Sequence, residues 1–374
     1  MKRALLNLSS LLVFLFFIIF LSPSFAQNNT TASNVLTVAI AGTQQLKLTS
    51  KIILGQEYSV QVNLPGHYSD TSKKFPVIYL LDSQWDFPLV SGIYGGQYYD
   101  GFMPEAIIVG ITWGGENPNY GQLRARDFTP TNLGQGAQFG NAANFLTFIQ
   151  QELTPFIEAN YRVSKNNRTL MGSSLGGLFT LYALFKAPDF FQNYVLTSPA
   201  TPWDQDVIYK IEQEYWDKNK TLPVRLYMAT GDAEDVAIFN KWVNTVKGRK
   251  YTGLNLQTKV LENIGHSGTK PIGYTQGLQW VFKKTPVSLT ATQLKPYVGT
   301  YLLDKEVLKI VIENNALVGI DAQNHKTVLA AETEKDFFVP GRFLFLHFQK
   351  DQANQVAGFQ LEQFEGVTFA KKKE

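Results

Sequence analysis

The sequence predicts an α/β fold, a mostly parallel sheet with helices on both faces, followed by a small all-β domain. Three observations carry that prediction. Continuous apolar runs of strand length alternate with helical patterns through the first three quarters of the 374 residues. One of those runs enters a helix through the stretch "RTLMGSSLGGLF", Arg168 to Phe179. The pattern then changes after "KKTPVSLTATQL" to short alternating strands separated by turn signals.

The elements follow in order. Lys2 and Arg3, the apolar run Leu11 to Leu21 and the small-residue site before Gln27 form an export signal, so residues 1–26 are expected to be removed. The run is short for a membrane span, which needs about 20 apolar residues. No cysteine is present, which excludes a lipid-anchored leader, disulfides, thiol catalysis and cysteine-ligated metals. From Gln45 to Leu64 the pattern alternates as an antiparallel pair. "PVIYLL" (76–81), "AIIVGI" (106–111), "TLMG", "YVLTSP" (194–199) and "VRLYMA" (224–229) then read as buried parallel strands. Helices are expected over 141–161 and 235–248, and the glycine-rich "NLGQGAQFG" (132–140) as a mobile loop at the rim of a site. From Tyr297 the strands "YVGTYLL", "LKIVIENNALVGI", "KTVLAA", "FFVPGRFLFLHF" and "VAGFQLEQF" make a sheet or barrel, with Asn314-Asn315 as a hairpin turn. The expected domains are therefore 27–285 and 286–374.

Composition bounds the partners. With 44% hydrophobic and 17% charged residues the chain is globular, and removing Lys2 and Arg3 with the leader leaves a net charge of +1. That balance favours neither nucleic acid nor an anionic membrane as partner, and no stable membrane insertion is expected once the leader is gone.

"RTLMGSSLGGLF" holds two serines, and only Ser174 has glycine two residues before it (Gly172) and two after (Gly176). G-x-S-x-G is the pattern of a sharp strand-to-helix turn that exposes a nucleophile, where a side chain at either flank would meet the backbone. Gly177 would let the following helix lie close to the sheet. An activated serine needs a base and an orienting acid, which in such folds follow in the chain order Ser, acid, His. Of the four histidines, His67 precedes the serine and His325 and His347 fall in the β region, leaving His266 in "ENIGHSG". The acid belongs just after "VRLYMA", where "TGDAED" offers Asp232, Glu234 and Asp235. Helix capping is a structural use for one of these acids. The amide of Leu175, after the serine, is one oxyanion donor. The other is expected from the loop that begins "LLDSQWDF" (80–87).

Trp85, Phe87, Tyr94, Tyr98, Tyr99, Trp113, Tyr120 and Trp203 cluster near the expected mouth, half of them as a stacking wall and half as core. Arg124 and Arg126 are read as surface salt-bridge partners of Asp127 rather than as substrate cations.

"FPVIYLLDSQ", "IIVGI", "RARDFTP", "FLTFIQQELTPFIEANYRV", "MGSSLGGLF" and "SPATPWD" together resemble the Putative esterase family of α/β hydrolases. That family includes esterase D, feruloyl esterases, siderophore-trilactone esterases and mycolyltransferases. The resemblance spans about Gln45 to Lys284 and implies an α/β-hydrolase fold. The family's oxyanion loop reads L-D-G or L-S-G. Ser83 replaces that glycine here, so the resemblance makes Gln84 the second donor. Its esterase D branch places the acid three residues after the strand-end glycine, here Gly231, which selects Glu234. Its mycolyltransferase branch places it four on, at Asp235. "LKPYVGTY" and the strands after it are similar to a β domain appended to some bacterial esterases.

The expected protein is an exported, periplasmic or secreted serine carboxylesterase with Ser174, His266 and Glu234 as catalytic residues and Gln84 and Leu175 at the oxyanion. It needs no cofactor or metal and acts on a small-molecule or carbohydrate-linked ester. The alternatives are an acyltransferase of the same fold, a siderophore-trilactone esterase, for which +1 overall does not advertise a basic pocket, and an inactive hydrolase-like binding protein.

Overall fold

A computed structural model describes residues 39–134 and 139–373. The expected export leader, and residues 135–138 of the glycine-rich stretch, lie outside the described residues. Residues 40–374 form one compact unit.

Eight strands build the large sheet: β1 (Thr43–Thr49), β2 (Glu57–Asn63), β3 (Phe75–Leu80), β4 (Ile107–Trp113), β5 (Val163–Ser173), β6 (Asn193–Thr197), β7 (Arg225–Gly231) and β8 (Asn255–Leu261). Their order is β1-β2-β4-β3-β5-β6-β7-β8. β1 pairs antiparallel with β2, and β2 with β4, while every pairing from β4 to β8 is parallel. The central strands are covered on both sides, so β3 and β4 are buried at every position, as their unbroken apolar runs require.

The helices are α1 (Ser83–Tyr99), α2 (Tyr120–Phe128), α3 (Ala142–Phe148), α4 (Thr154–Asn160), α5 (Leu175–Lys186), α6 (Trp203–Lys218), α7 (Val236–Arg249), α8 (Thr269–Val281) and the one-turn α9 (Ala291–Leu294). The single helix expected over 141–161 is interrupted by a π-helical turn, Ile149–Leu153, between α3 and α4. α1 and α8 share one face of the sheet in a core around Tyr94, Met171, Tyr227 and Tyr274. The larger core on the other face takes Phe145, Phe179, Phe185 and Trp242. Because a parallel sheet is fed by right-handed crossovers, the loops leaving β3, β5, β7 and β8 all emerge at its C-terminal edge, where ligands bind in open α/β sheets.

The remaining strands close into an antiparallel barrel: β9 (Gly299–Leu303), β10 (Glu306–Glu313), β11 (Ala316–Ile320), β12 (Lys326–Ala331), β13 (Asp336–Phe338), β14 (Leu344–Lys350), β15 (Val356–Gln363) and β16 (Gly366–Lys372). Asn314 and Asn315 both take left-handed φ, 51° and 60°, in the two-residue β10–β11 turn, as a type I′ hairpin needs. Tyr297, Tyr301, Phe348 and Phe359 fill the interior. The barrel rests on the far end of α1, where Phe343 meets Tyr98 edge-on at 5.0 Å.

Candidate active site

β5 ends at Ser173 and α5 starts at Leu175, so Ser174 alone occupies the turn, at φ 58° and ψ −119°. Positive φ at a residue with a Cβ costs about 1–3 kcal/mol and persists only where the surroundings fix it. Here the Ser174 N–H donates to Thr197 O at 3.1 Å, and Ser174 O accepts from Leu178 N at 3.0 Å and Ala200 N at 3.1 Å. A Cβ on Gly172 would come within 2.8 Å of the Gly176 carbonyl, and one on Gly176 within 3.3 Å of Asp82 Oδ2. The glycine spacing in the sequence therefore reports a real steric limit. Ser173, by contrast, is buried at the end of its strand, with its side chain 1% exposed. Of the two serines, only Ser174 reaches the surface.

His266 opens a short 3₁₀ turn, His266–Gly268, between β8 and α8, with its side chain 53% exposed. Its Nδ1 lies 2.6 Å from Glu234 Oε2. The other Glu234 oxygen accepts from Ser198 Oγ at 2.6 Å, Gly231 N at 3.0 Å and Thr230 Oγ1 at 3.1 Å. Burial alone would push this carboxyl up. The hydrogen bonds from Ser198, Gly231 and His266 outweigh it and hold Glu234 below the ordinary range, ionised. The neighbouring acids have other work. Asp235 caps α7, accepting from Ala237 N and Ile238 N at 3.1 Å each. Asp232 accepts from Asn263 N at 2.9 Å and Ile264 N at 3.1 Å, which pins the loop that carries His266 and lowers the Asp232 pKa. Three acids in one tetrad of residues thus divide into loop anchor, histidine partner and helix cap.

Leu175 and Gln84 lie in the first turns of α5 and α1, where backbone N–H groups have no acceptor within their own helix. The loop before Gln84 turns without the family's glycine because Asp82 itself adopts the left-handed conformation, φ 53° and ψ 35°. Ser83 is fully buried against Gly110, where a Cβ would come within 2.7 Å of the serine Cβ. Arg124 grips Asp82 with two bonds, Nε to Oδ1 at 3.0 Å and an Nη to Oδ2 at 2.8 Å. A turn later, buried Asp86 accepts from Lys270 Nζ at 2.8 Å and Tyr274 OH at 3.1 Å, tying α1 to α8 just beyond His266. Burial raises the Asp86 pKa against the pull of Lys270.

Two expectations are corrected. Arg124 pairs with Asp82 and not with Asp127, and the Arg126–Asp127 pair is no surface bridge. Asp127 is fully buried and accepts from Tyr58 OH at 2.6 Å, Trp113 Nε1 at 2.7 Å and Arg126 Nε at 2.7 Å, so "RARDF" is a structural anchor. Of the eight aromatics, Phe87, Tyr94, Tyr98 and Trp113 are core. Tyr98 and Tyr99 sit at the barrel end of α1, about 20 Å along the helix from Gln84. Trp85 and Tyr120 do stand beside Gln84, edge to face at 6.2 Å, with Trp85 half exposed. Gln84, Trp113 and Tyr120 border a polar cavity of about 300 Å³ that also takes in Gln45, Lys47 and Gln61. Ser198, Thr230, Asp82, Asp86 and Lys270 were not singled out by the sequence. Their only signal is position, each within a few residues of a strand's C-terminal end or of a candidate residue.

Comparison with known proteins gives the family and the fold. Residues 50–247 match the model of the Putative esterase family. The chain belongs to that family. It is 31% identical to the ferri-bacillibactin esterase BesA of Bacillus subtilis (strain 168) over 226 residues, 56% of this chain and 75% of that one. The crystal structure of the BES protein from Bacillus cereus superposes with a TM-score of 0.61 at 28% identity, covering 66% of this chain and 97% of that one. The siderophore hydrolase EstB from Aspergillus nidulans shares the fold, with a TM-score of 0.59 at 23% identity, 68% of this chain and 99% of that one. This esterase is therefore an α/β hydrolase of the serine-hydrolase class, acting on ester bonds. The barrel lies beyond the family match. Among the described residues no helix is long and apolar enough to cross a membrane.

Proposed function

We propose that Ser174, His266 and Glu234 form the catalytic triad of a carboxylesterase. The observation that carries this is the 2.6 Å contact of His266 Nδ1 with Glu234, on a loop at the same C-terminal sheet edge as the strained Ser174 turn. In this reading His266 Nε2 takes the Ser174 proton as Oγ attacks the ester carbonyl. Ionised Glu234 keeps the other ring proton on Nδ1 and stabilises the imidazolium. The tetrahedral oxyanion takes the Leu175 and Gln84 amides, whose loop is held by the Arg124–Asp82 pair. Collapse passes the proton to the departing alkoxide, and water repeats the cycle on the acyl-Ser174. Among the described residues no hydrogen bond joins Ser174 Oγ to His266, a looseness common before substrate binds.

The relatives favour a siderophore ester as substrate, with the polar cavity beside Gln84 as room for its hydrogen-bonding groups. Export rests on the leader sequence, and residues 27–285 with 286–374 as the two domains on the change of pattern near Thr285. The test is a hydrolysis screen over aryl, acetyl-sugar and catecholate trilactone esters with wild type and Ser174→Ala. The proposal expects the trilactone to be preferred and all turnover to need Ser174. A preference for acetyl-sugars would move the substrate class, and activity retained in Ser174→Ala would remove the triad.

A further inference from the structure

α1 and α8 each have a second end. Where they run out, away from Gln84 and His266, the barrel meets the hydrolase around a cavity of about 530 Å³, within the range of small-molecule sites. Trp280, at the end of α8, lies roughly 17 Å along the helix axis from its first residue, so this space is separate from the esterase site. Its walls are rings from both halves of the molecule, Phe102 and Trp280 on the hydrolase side and Phe338, Phe343 and Phe345 on the barrel side. Open to solvent between two aromatic walls, the cleft leaves apolar surface uncovered, the condition that marks binding grooves. Phe102 is 41% exposed at its edge, an apolar ring left without cover.

Among the described residues, the ionisable side chains around it are paired except Lys283, which stands exposed at the rim. Lys284 bonds Glu332 at 2.6 Å and lies over the Phe345 ring at 4.5 Å. His347 is held between Asp336 at 2.9 Å and Glu362 at 3.4 Å, and Lys73 bridges Glu105 and Glu362 at 3.5 and 3.6 Å. An incoming cation would have to compete with one of these pairs, and a carboxylate would find only Lys283, whose exposed, screened pair is worth little, whereas a flat apolar molecule would meet mainly rings. We infer that this cavity is a second ligand site, for an uncharged aromatic molecule of one or two fused rings. Because both halves supply the walls, its occupant also fastens the barrel to the hydrolase.

The probe is 2-naphthol, titrated calorimetrically into the full-length protein, into Phe102→Ala and into Phe343→Ala, with 2-naphthoate as the charged isostere. The expected result is saturable 1:1 binding that weakens about 2–10-fold in each variant, as loss of one ring contact implies. Naphthoate should bind more weakly, the melting temperature should rise with naphthol, and p-nitrophenyl acetate hydrolysis should show no competitive inhibition. Phe102 is partly exposed, so its variant remains folded even if Phe343→Ala does not. Absence of saturable binding, equal affinity in wild type and Phe102→Ala, naphthoate binding as tightly as naphthol, or competitive inhibition of the esterase would each overturn the inference. The calorimetry stands whether or not Ser174 is the nucleophile.

Discussion

The two ends of α1 and α8 differ in what holds them. At the end near Ser174 the contacts are charged and short: Arg124–Asp82, Lys270–Asp86 and His266–Glu234 all lie between 2.6 and 3.0 Å, beside residues in left-handed backbone. At the barrel end the helix meets the barrel through rings, Tyr98 on Phe343 and Tyr99 on Phe364 at 5.0 and 4.8 Å, with the longer Lys73–Glu362 ion pair beside them at 3.6 Å. Ring pairs are satisfied over a range of offset and tilted geometries, while hydrogen bonds between charged groups fix a direction and weaken steeply as they bend. The same two helices thus offer one end built for position and one built for adhesion. Damage at the first should fall on rate, and at the second on stability.

The largest effect expected is at Ser174. Ser174→Ala should reduce kcat by about 10⁴-fold or more with little change in melting temperature, while Ser173→Ala keeps most of the activity. Next comes the acid. Glu234→Gln keeps the shape but offers His266 the wrong partner, and kcat should fall by roughly 10³–10⁴-fold. Asp235→Ala should instead cost about 1 kcal/mol of stability as a lost helix cap, with kcat nearly intact. A large kcat loss in Asp235→Ala with normal Glu234→Gln would reverse the roles.

A chain ending at Lys284 tests the adhesive end. It uncovers Tyr98, Tyr99 and Phe102, so aggregation should increase while fluorophosphonate labelling of Ser174 is retained. A folded truncation that no longer labels would tie the barrel to the site itself.

The smallest effect concerns pH. The Glu362 and Asp336 carboxylates around His347 raise its pKa, so its contribution is complete below about 6.5 and fades as pH climbs through the raised value. Glu362, lowered by His347, and Asp336, lowered by Thr333 and His347 against its burial, contribute above about 4.3 and lose that as pH falls. The seam should be firmest between those limits. His347→Gln should flatten the alkaline decline by roughly 1–2 °C in melting temperature, because the group is part-exposed and screened. An unchanged profile would mean that the ion pairs there are idle.

The large sheet was legible because both-face burial demands unbroken apolar runs, and seven of the eight strands announce themselves that way or by alternation. α1 was not, since Pro88 and three glycines argue against a helix that forms because Phe87, Val90, Tyr94 and Tyr98 must be buried. At the candidate site, Ser174 and His266 were singled out by spacing and order. Ser198, Thr230 and Asp82 could not be: the hydroxyls of Ser198 and Thr230 reach Glu234, and Asp82 takes its left-handed bend, only once the strand ends are assembled, and none has a residue signature. Half of the eight aromatics are core, as expected, but Tyr98 and Tyr99 lie away from the mouth, because nearness in sequence along α1 became about 20 Å of distance once the segment was a helix.

The barrel closes through β9 and β16, its first and last strands, joined by three residue pairs, Leu303 with Ala370, Leu302 with Lys371 and Tyr301 with Lys372. During synthesis the hydrolase strands can associate as they emerge, but β9 must wait for β16, with its hydrogen-bonding edge open throughout. Long-range closure of this kind is slow, since its entropy is spent before any contact forms. Folding from the N-terminal side therefore passes through a paired hydrolase sheet trailing an unfinished barrel, an interval in which the open β9 edge is exposed to proteases and to copies of the chain.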